Sequence, residues 1–205
     1  MFDQLLAHEG VEEVLELRSR FGFMAFHGGS LEQMTDVIAA AAAEAAGASY
    51  YGVLQPPDLQ WHIPSTAIDP AHSERLAAFV DHVDVTIAVH GYGREGYWTT
   101  LLLGGTNREL AAHVGRHLAG GLPAYDIVTD LEQIPTELRG LHRRNPVNLP
   151  RGAGVQLELP PRVRGTTPLW ADWPGPGFNP HTQALVDALA EAARSWPMAD
   201  GDGAR

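Results

Sequence analysis

The chain has 205 residues, no cysteine and no lysine; its 14 basic side chains are all arginine and face 25 carboxylates, for a formal net charge of −11. Without thiols or lysine it has no disulfide framework, no thiolate metal site, no cysteine nucleophile, no Schiff-base lysine and no P-loop lysine. The acidic balance also argues against non-specific nucleic-acid binding, while 44% hydrophobic and 19% charged residues are ordinary for a globular chain and not for a disordered one.

The length suits one folded domain, expected over residues 1–196, with the small polar stretch 197–205 as a disordered tail. The first twenty residues carry acids where an export signal would carry positive charge, and no apolar run reaches the roughly 20 residues of a membrane span. The expectation is a cytoplasmic protein that engages neither nucleic acid nor membrane, as a monomer or a small homo-oligomer.

In chain order, Val11, Val14, Leu15 and Leu17 form an apolar stripe that predicts a helix over Val11 to Arg20. Phe21 to Phe26 reads as a buried strand running into His27-Gly28-Gly29. Ser30 with Gln33 has the pattern of a capping box, opening a helix that carries Leu31, Met34, Ile38, Ala41, Ala42 and Ala45 and that Gly47 ends. Tyr50 to Leu54 is a second strand. Asp69-Pro70 opens a helix with Leu76, Phe79, Val80 and Val83 on one face. Val85 to Val89 is a buried strand that runs into His90-Gly91, and Tyr97 to Leu103 is a fourth strand, ending in Gly104-Gly105. Thr106 with Glu109 predicts a capping box for a helix bearing Leu110, Val114 and Leu118. Two further strands, Tyr125 to Val128 and Val155 to Leu159, precede a last helix capped at Asn179-Pro180 with Leu185, Leu189 and Ala192 on one face. Strands alternating with helices imply an α/β sandwich on a largely parallel sheet.

Ligands of open α/β sheets bind outside the carboxyl ends of the strands, where His27 and His90 fall. A short glycine turn after His27 can bring Glu32 back beside it, and His90 on a neighbouring strand completes a set of two histidines and one carboxylate. Zinc accepts that set and, when catalytic, keeps a further position open for water. A carboxylate must then take the proton of that water; Glu158, a charge inside the apolar run Val155-Gln156-Leu157-Glu158-Leu159, is the candidate. Each residue also has a plainer role open to it: the histidines as strand-end hydrogen bonders, Glu32 at a helix start, Glu158 on the solvent side of an edge strand. His113 and His117 lack the glutamate of a metalloprotease helix and read as a solvated face; His62, His72, His82, His142 and His181 fall in loops or on helix surfaces.

The segments His27-Gly28-Gly29-Ser30-Leu31-Glu32, Val89-His90-Gly91, Gly104-Gly105, Asn145-Pro146-Val147-Asn148 and Gly154-Val155-Gln156-Leu157-Glu158-Leu159 resemble, in order and spacing, the poly-γ-glutamate hydrolase family of small phage-type zinc amidases. The resemblance runs from about Phe21 to Arg164. It implies a three-layer α/β sandwich with a mixed, mainly parallel sheet, like that of the zinc carboxypeptidases. It implies Zn2+ held by His27, Glu32 and His90, with Glu158 as general base and proton donor. It places Asn148 and Arg164 beside the catalytic strand, where they would bind a substrate carboxylate or the oxyanion. The expected substrate is a γ-glutamyl polymer or a small carboxylate-bearing amide. A small N-acyl amino acid amidohydrolase of the same fold, or an inactive binding module, are the alternatives.

Overall fold

The computed structural model describes residues 1–167, 170 and 173–198. Of the expected tail, residues 199–205 lie outside that description. The elements, in chain order, are α1 (Phe2–Leu6), β1 (Glu12–Glu16), β2 (Phe21–Gly29), α2 (Thr35–Ala46), β3 (Ser49–Gln55), α3 (Glu74–His82), β4 (Val85–Gly91), β5 (Thr100–Leu103), α4 (Arg108–Gly121), β6 (Asp126–Val128), β7 (Gly154–Leu159), α5 (Pro161–Arg164) and α6 (Pro180–Ser195), with short 3-10 turns between them.

The strands form one seven-stranded sheet in the order β1-β3-β2-β4-β7-β5-β6. The pairs β2/β3, β2/β4, β4/β7 and β5/β6 are parallel, whereas β1/β3 and β7/β5 are antiparallel. The sheet is therefore mixed and mainly parallel, as expected. Helices cover both faces. On one, the alanine-rich α2 packs with α4 and α6 against Phe23, Ile87, Leu103 and Leu157; alanines at the contact let α2 approach closely. On the other, α1 and α3 bury Phe2, Leu5, Leu76 and Phe79 against Met24, Phe26, Tyr51 and Ala88. No helix among the described residues is long and apolar enough to cross a membrane.

The predicted helix over Val11 to Arg20 is instead the edge strand β1, paired antiparallel with β3. Val14 packs on the α2 side and Val11 and Leu15 on the α3 side, so apolar residues facing both ways imitate a helical stripe. The expected Ser30–Gln33 capping box does not form either. Residues 30–34 are a turn, the Ser30 hydroxyl donates to the carbonyls of Pro56 and Leu59, and α2 starts at Thr35 after Met34 in the left-handed region (φ 74°). Asn107 rather than Thr106 caps α4, accepting from the Leu110 amide. Asp69 caps only a single turn, and Ser73 caps α3. The strand expected from Tyr97 begins at Thr100.

Candidate metal centre

His27, His90 and Glu158 occupy the carboxyl ends of β2, β4 and β7, which run parallel, so all three emerge at one edge of the sheet. His90 and Glu158 are register partners on adjacent strands. Strict alternation would send His27 to the face opposite Phe26. A bulge between Ala25 and Gly28 adds one residue to β2 relative to β3 and re-aims the side chain. Phe26 then packs edge-on against both imidazoles, with ring centroids 5.0 Å from His27 and 4.8 Å from His90.

The turn after β2 carries Glu32 back over these rings. Its Oε1 lies 2.9 Å from His27 Nδ1 and its Oε2 lies 3.3 Å from His90 Nδ1. Oε2 also accepts from the Gly91 amide at 2.9 Å. His27 Nε2 donates to the Ile63 carbonyl at 2.8 Å; since a carbonyl only accepts, that nitrogen holds the proton. Nδ1, the other ring nitrogen, therefore faces a Glu32 oxygen, as a donor when it carries a proton and as a lone pair that can ligate a cation when it does not. His90 Nε2 is buried without a partner. The donor chemistry fits a divalent ion that takes imidazole and carboxylate ligands.

Charge and burial act together on these groups. Burial alone would raise the Glu32 carboxyl, but the His90 charge and hydrogen bonds from His27 and His90 outweigh it and hold it far below its ordinary value. Burial would lower His90, yet the facing Glu32 carboxylate raises it. Glu158 is raised, chiefly by burial; the His90 charge opposes this and the Glu32 charge adds to it. Its Oε1 accepts from Gln156 Nε2 at 2.7 Å, and Gln156 Oε1 accepts from Asn145 Nδ2 at 2.7 Å.

These groups open into a cavity of about 770 Å³ whose walls include His62, Tyr92, Arg139, His142 and Gln156. The structure thus brings together His27, Glu32, His90 and Glu158. It does not bring Asn148 or Arg164 to the cavity wall. Asn148 staples loops, its Oδ1 accepting from the amide and hydroxyl of Thr106 and its Nδ2 donating to the Gly140 and His142 carbonyls. Arg164 gives its guanidinium to backbone carbonyls. Three contributors escaped the sequence reading: His62, Arg139 and the Asn145–Gln156 pair. His62 stacks at 4.8 Å from His27, and His27, Glu32 and His62 each offer a donor atom within 4.8 Å of the other two. Asn145 and Gln156 stood in the motif segments without a role assigned to them, and nothing in the sequence marked His62 or Arg139 as lining the site.

A mixed, mainly parallel sheet between helices, with imidazoles and carboxylates gathered at its strand ends, defines an α/β protein of the carboxypeptidase-like fold class. The family described as poly-gamma-glutamate hydrolase matches residues 3–167, and the chain belongs to that family of hydrolases. Among solved structures, a bacteriophage poly-gamma-glutamate hydrolase is similar at 19% identity and a TM-score of 0.75, over 92% of this chain and 91% of that one. The zinc-free form of the protein YNDL is similar at 20% identity and a TM-score of 0.74, over 90% of each chain. A Burkholderia mallei protein provisionally described as a carboxypeptidase shares the fold at 10% identity and a TM-score of 0.54, over 94% of this chain and 66% of that one. No curated protein matches.

Proposed function

We propose that the chain is a zinc-dependent amide hydrolase acting on γ-glutamyl bonds, with His27, Glu32 and His90 as metal ligands and Glu158 as general base. The carrying observation is the convergence of two imidazole Nδ1 atoms on the two oxygens of Glu32, in a cavity that Glu158 also lines. Zinc bound there would polarise the scissile carbonyl and acidify water.

The chain's own groups supply the remainder. Gln156 fixes one Glu158 oxygen and leaves the other for proton transfer. A raised carboxyl is a better base than an ordinary one near neutral pH. As the water oxygen bonds to the carbonyl carbon, Glu158 takes the water proton; as the C–N bond breaks, it returns that proton to the leaving nitrogen. The Ile63 carbonyl holds the His27 tautomer in which Nδ1 is the ligand atom.

Arg139 is the one arginine among the residues lining the cavity. Its Nε is anchored on the Ile134 carbonyl at 2.9 Å and its Nη1 stands 3.5 Å from the exposed Glu132 carboxylate, a solvent-side partner that a substrate carboxylate would displace to grip the outer fork. A single guanidinium also favours a second reading, a small N-acyl amino acid as substrate, since one fork recognises one carboxylate and not a chain of them. In this proposal residues 1–196 act as one catalytic unit.

Glu158→Gln is the test. It should retain about one zinc per chain and lose turnover by about 10²–10⁴-fold, measured on poly-γ-glutamate and on N-acyl glutamates. Undiminished turnover in that variant would overturn the role of Glu158. Cleavage of only the small substrates would select the second reading.

A further inference from the structure

Arg164 is buried to 8% exposure at the end of α5 and lies off the cavity. Its Nη1 donates to the Gln33 carbonyl at 2.7 Å, its Nε to the Leu159 carbonyl at 3.1 Å, and its Nη2 approaches the Tyr92 carbonyl at 3.5 Å. Gln33 directly follows Glu32, Leu159 directly follows Glu158, and Tyr92 stands two residues after His90. One planar group therefore touches the backbone beside three of the four candidate functional side chains. These segments lie far apart in sequence and meet only at this edge of the sheet.

We propose that Arg164 is the positioning residue of the centre, a clamp that fixes Glu32, His90 and Glu158 relative to one another without touching substrate or metal. The proposal rests on the metal reading above. A guanidinium is suited to the task because its five N–H donors lie in one plane with fixed directions, so three carbonyls bound to it are held in a fixed mutual geometry. A lysine ammonium offers rotatable donors from a single point and cannot span the three. Gly91 belongs to the same device: a Cβ there would lie 2.8 Å from Arg164 Cζ and 2.9 Å from Nη1, so any larger residue would push the guanidinium off its carbonyls. Gly91 also donates its amide to Glu32 Oε2, which links the clamp to the ligand carboxylate by a second route.

A clamp differs from a simple packing residue in what its loss disturbs. Thr182 supplies the comparison, because its hydroxyl donates to the Val163 carbonyl at 2.7 Å and so anchors α5 without reaching the three strand-end segments. The experiment compares wild type, Arg164→Lys, Arg164→Met and Thr182→Val. Zinc affinity is read by competition with a chromophoric chelator, and ligand geometry by the visible spectrum of the cobalt(II)-loaded protein. Both arginine variants should bind zinc about 10–100-fold more weakly, as loss of an outer partner does, with an altered cobalt spectrum. They should also lose kcat more than KM. Thr182→Val should keep the wild-type spectrum and affinity. If Arg164→Met does not fold, Arg164→Lys decides, since it keeps charge and bulk but not the fork. A wild-type spectrum with zinc affinity within about twofold in the lysine variant would overturn the clamp, and so would an equal loss in Thr182→Val. Wild-type protein that takes up no metal would overturn the metal reading itself, and the clamp with it.

Discussion

His62 and His90 both stand within reach of His27 and Glu32, but on supports of different stiffness. His90 is held in β4 between two parallel strands, with its Nδ1 at 3.3 Å from Glu32. His62 lies in irregular chain between β3 and α3, and burial, with the neighbouring imidazoles, lowers it below the ordinary histidine range. A preorganised ligand costs less ordering on binding than one carried by a loop. The expected order follows. His90→Ala should weaken zinc binding by more than about 100-fold, beyond the range of an outer partner, and His62→Ala by about 10-fold or less. Chelator competition on the two variants measures this directly. The reverse order would make His62 the third ligand and His90 the outer group.

At the scale of elements, the site depends on loops that approach one another more closely than ordinary side chains allow. Gly105, just past β5, sits at φ +82°, and a Cβ there would lie 2.3 Å from the Gly154 carbonyl oxygen and 2.9 Å from the Gln156 amide. Gly105→Ala should therefore destabilise the protein by about 1–3 kcal/mol and disturb β7, which carries Glu158. Gly120, inside α4 and with nothing within 4 Å of its would-be Cβ, should respond oppositely. Gly120→Ala should stabilise by up to about 1 kcal/mol. Urea unfolding of the pair tests the contrast; equal effects would mean that the close approach at Gly105 is not what holds the turn. The same elements mark what the sequence could disclose. β2 and β4 begin as apolar runs that lead into a His-Gly pair, and β7 is an apolar run with a charge inside it; these are local signals, and with them came His27, His90 and Glu158. The strand β1 was hidden because both of its faces bear apolar residues. His62 and Arg139 were hidden because their meeting with the site depends on where irregular chain lies in space. The hydrogen bonds of Arg164 span up to 131 residues of sequence, and no spacing rule reaches that far.

The whole molecule couples the charge state of the centre to its stability. Glu32 is held below the ordinary 4.5 of a glutamate, so its contribution is complete above that value and is lost as the pH falls through the depressed one. His90 is held above the ordinary 6.5 of a histidine; its contribution is complete below 6.5 and is lost as the pH rises through the raised value. Glu158, raised from 4.5, acts in the direction of His90. Between 4.5 and its raised value the folded state binds more of that proton than the unfolded state, so stability falls as the pH rises. The metal-free protein should thus be most stable in acidic solution near 4.5, the ordinary value shared by the two glutamates, and should weaken from there toward pH 8. Zinc bound at the proposed ligands should reverse the trend, because they must be deprotonated and binding releases their protons. At zinc about 1,000-fold above its dissociation constant the stabilisation is about 4 kcal/mol, which for a chain of this length raises Tm by about 8–16 °C. Thermal melts with and without zinc at pH 5.5 and pH 8 should show a small increment at the lower pH and the full one at the higher, both abolished in His27→Ala. A zinc increment independent of pH would mean that the ion binds groups other than these imidazoles, and an increment surviving in His27→Ala would place it away from β2 altogether.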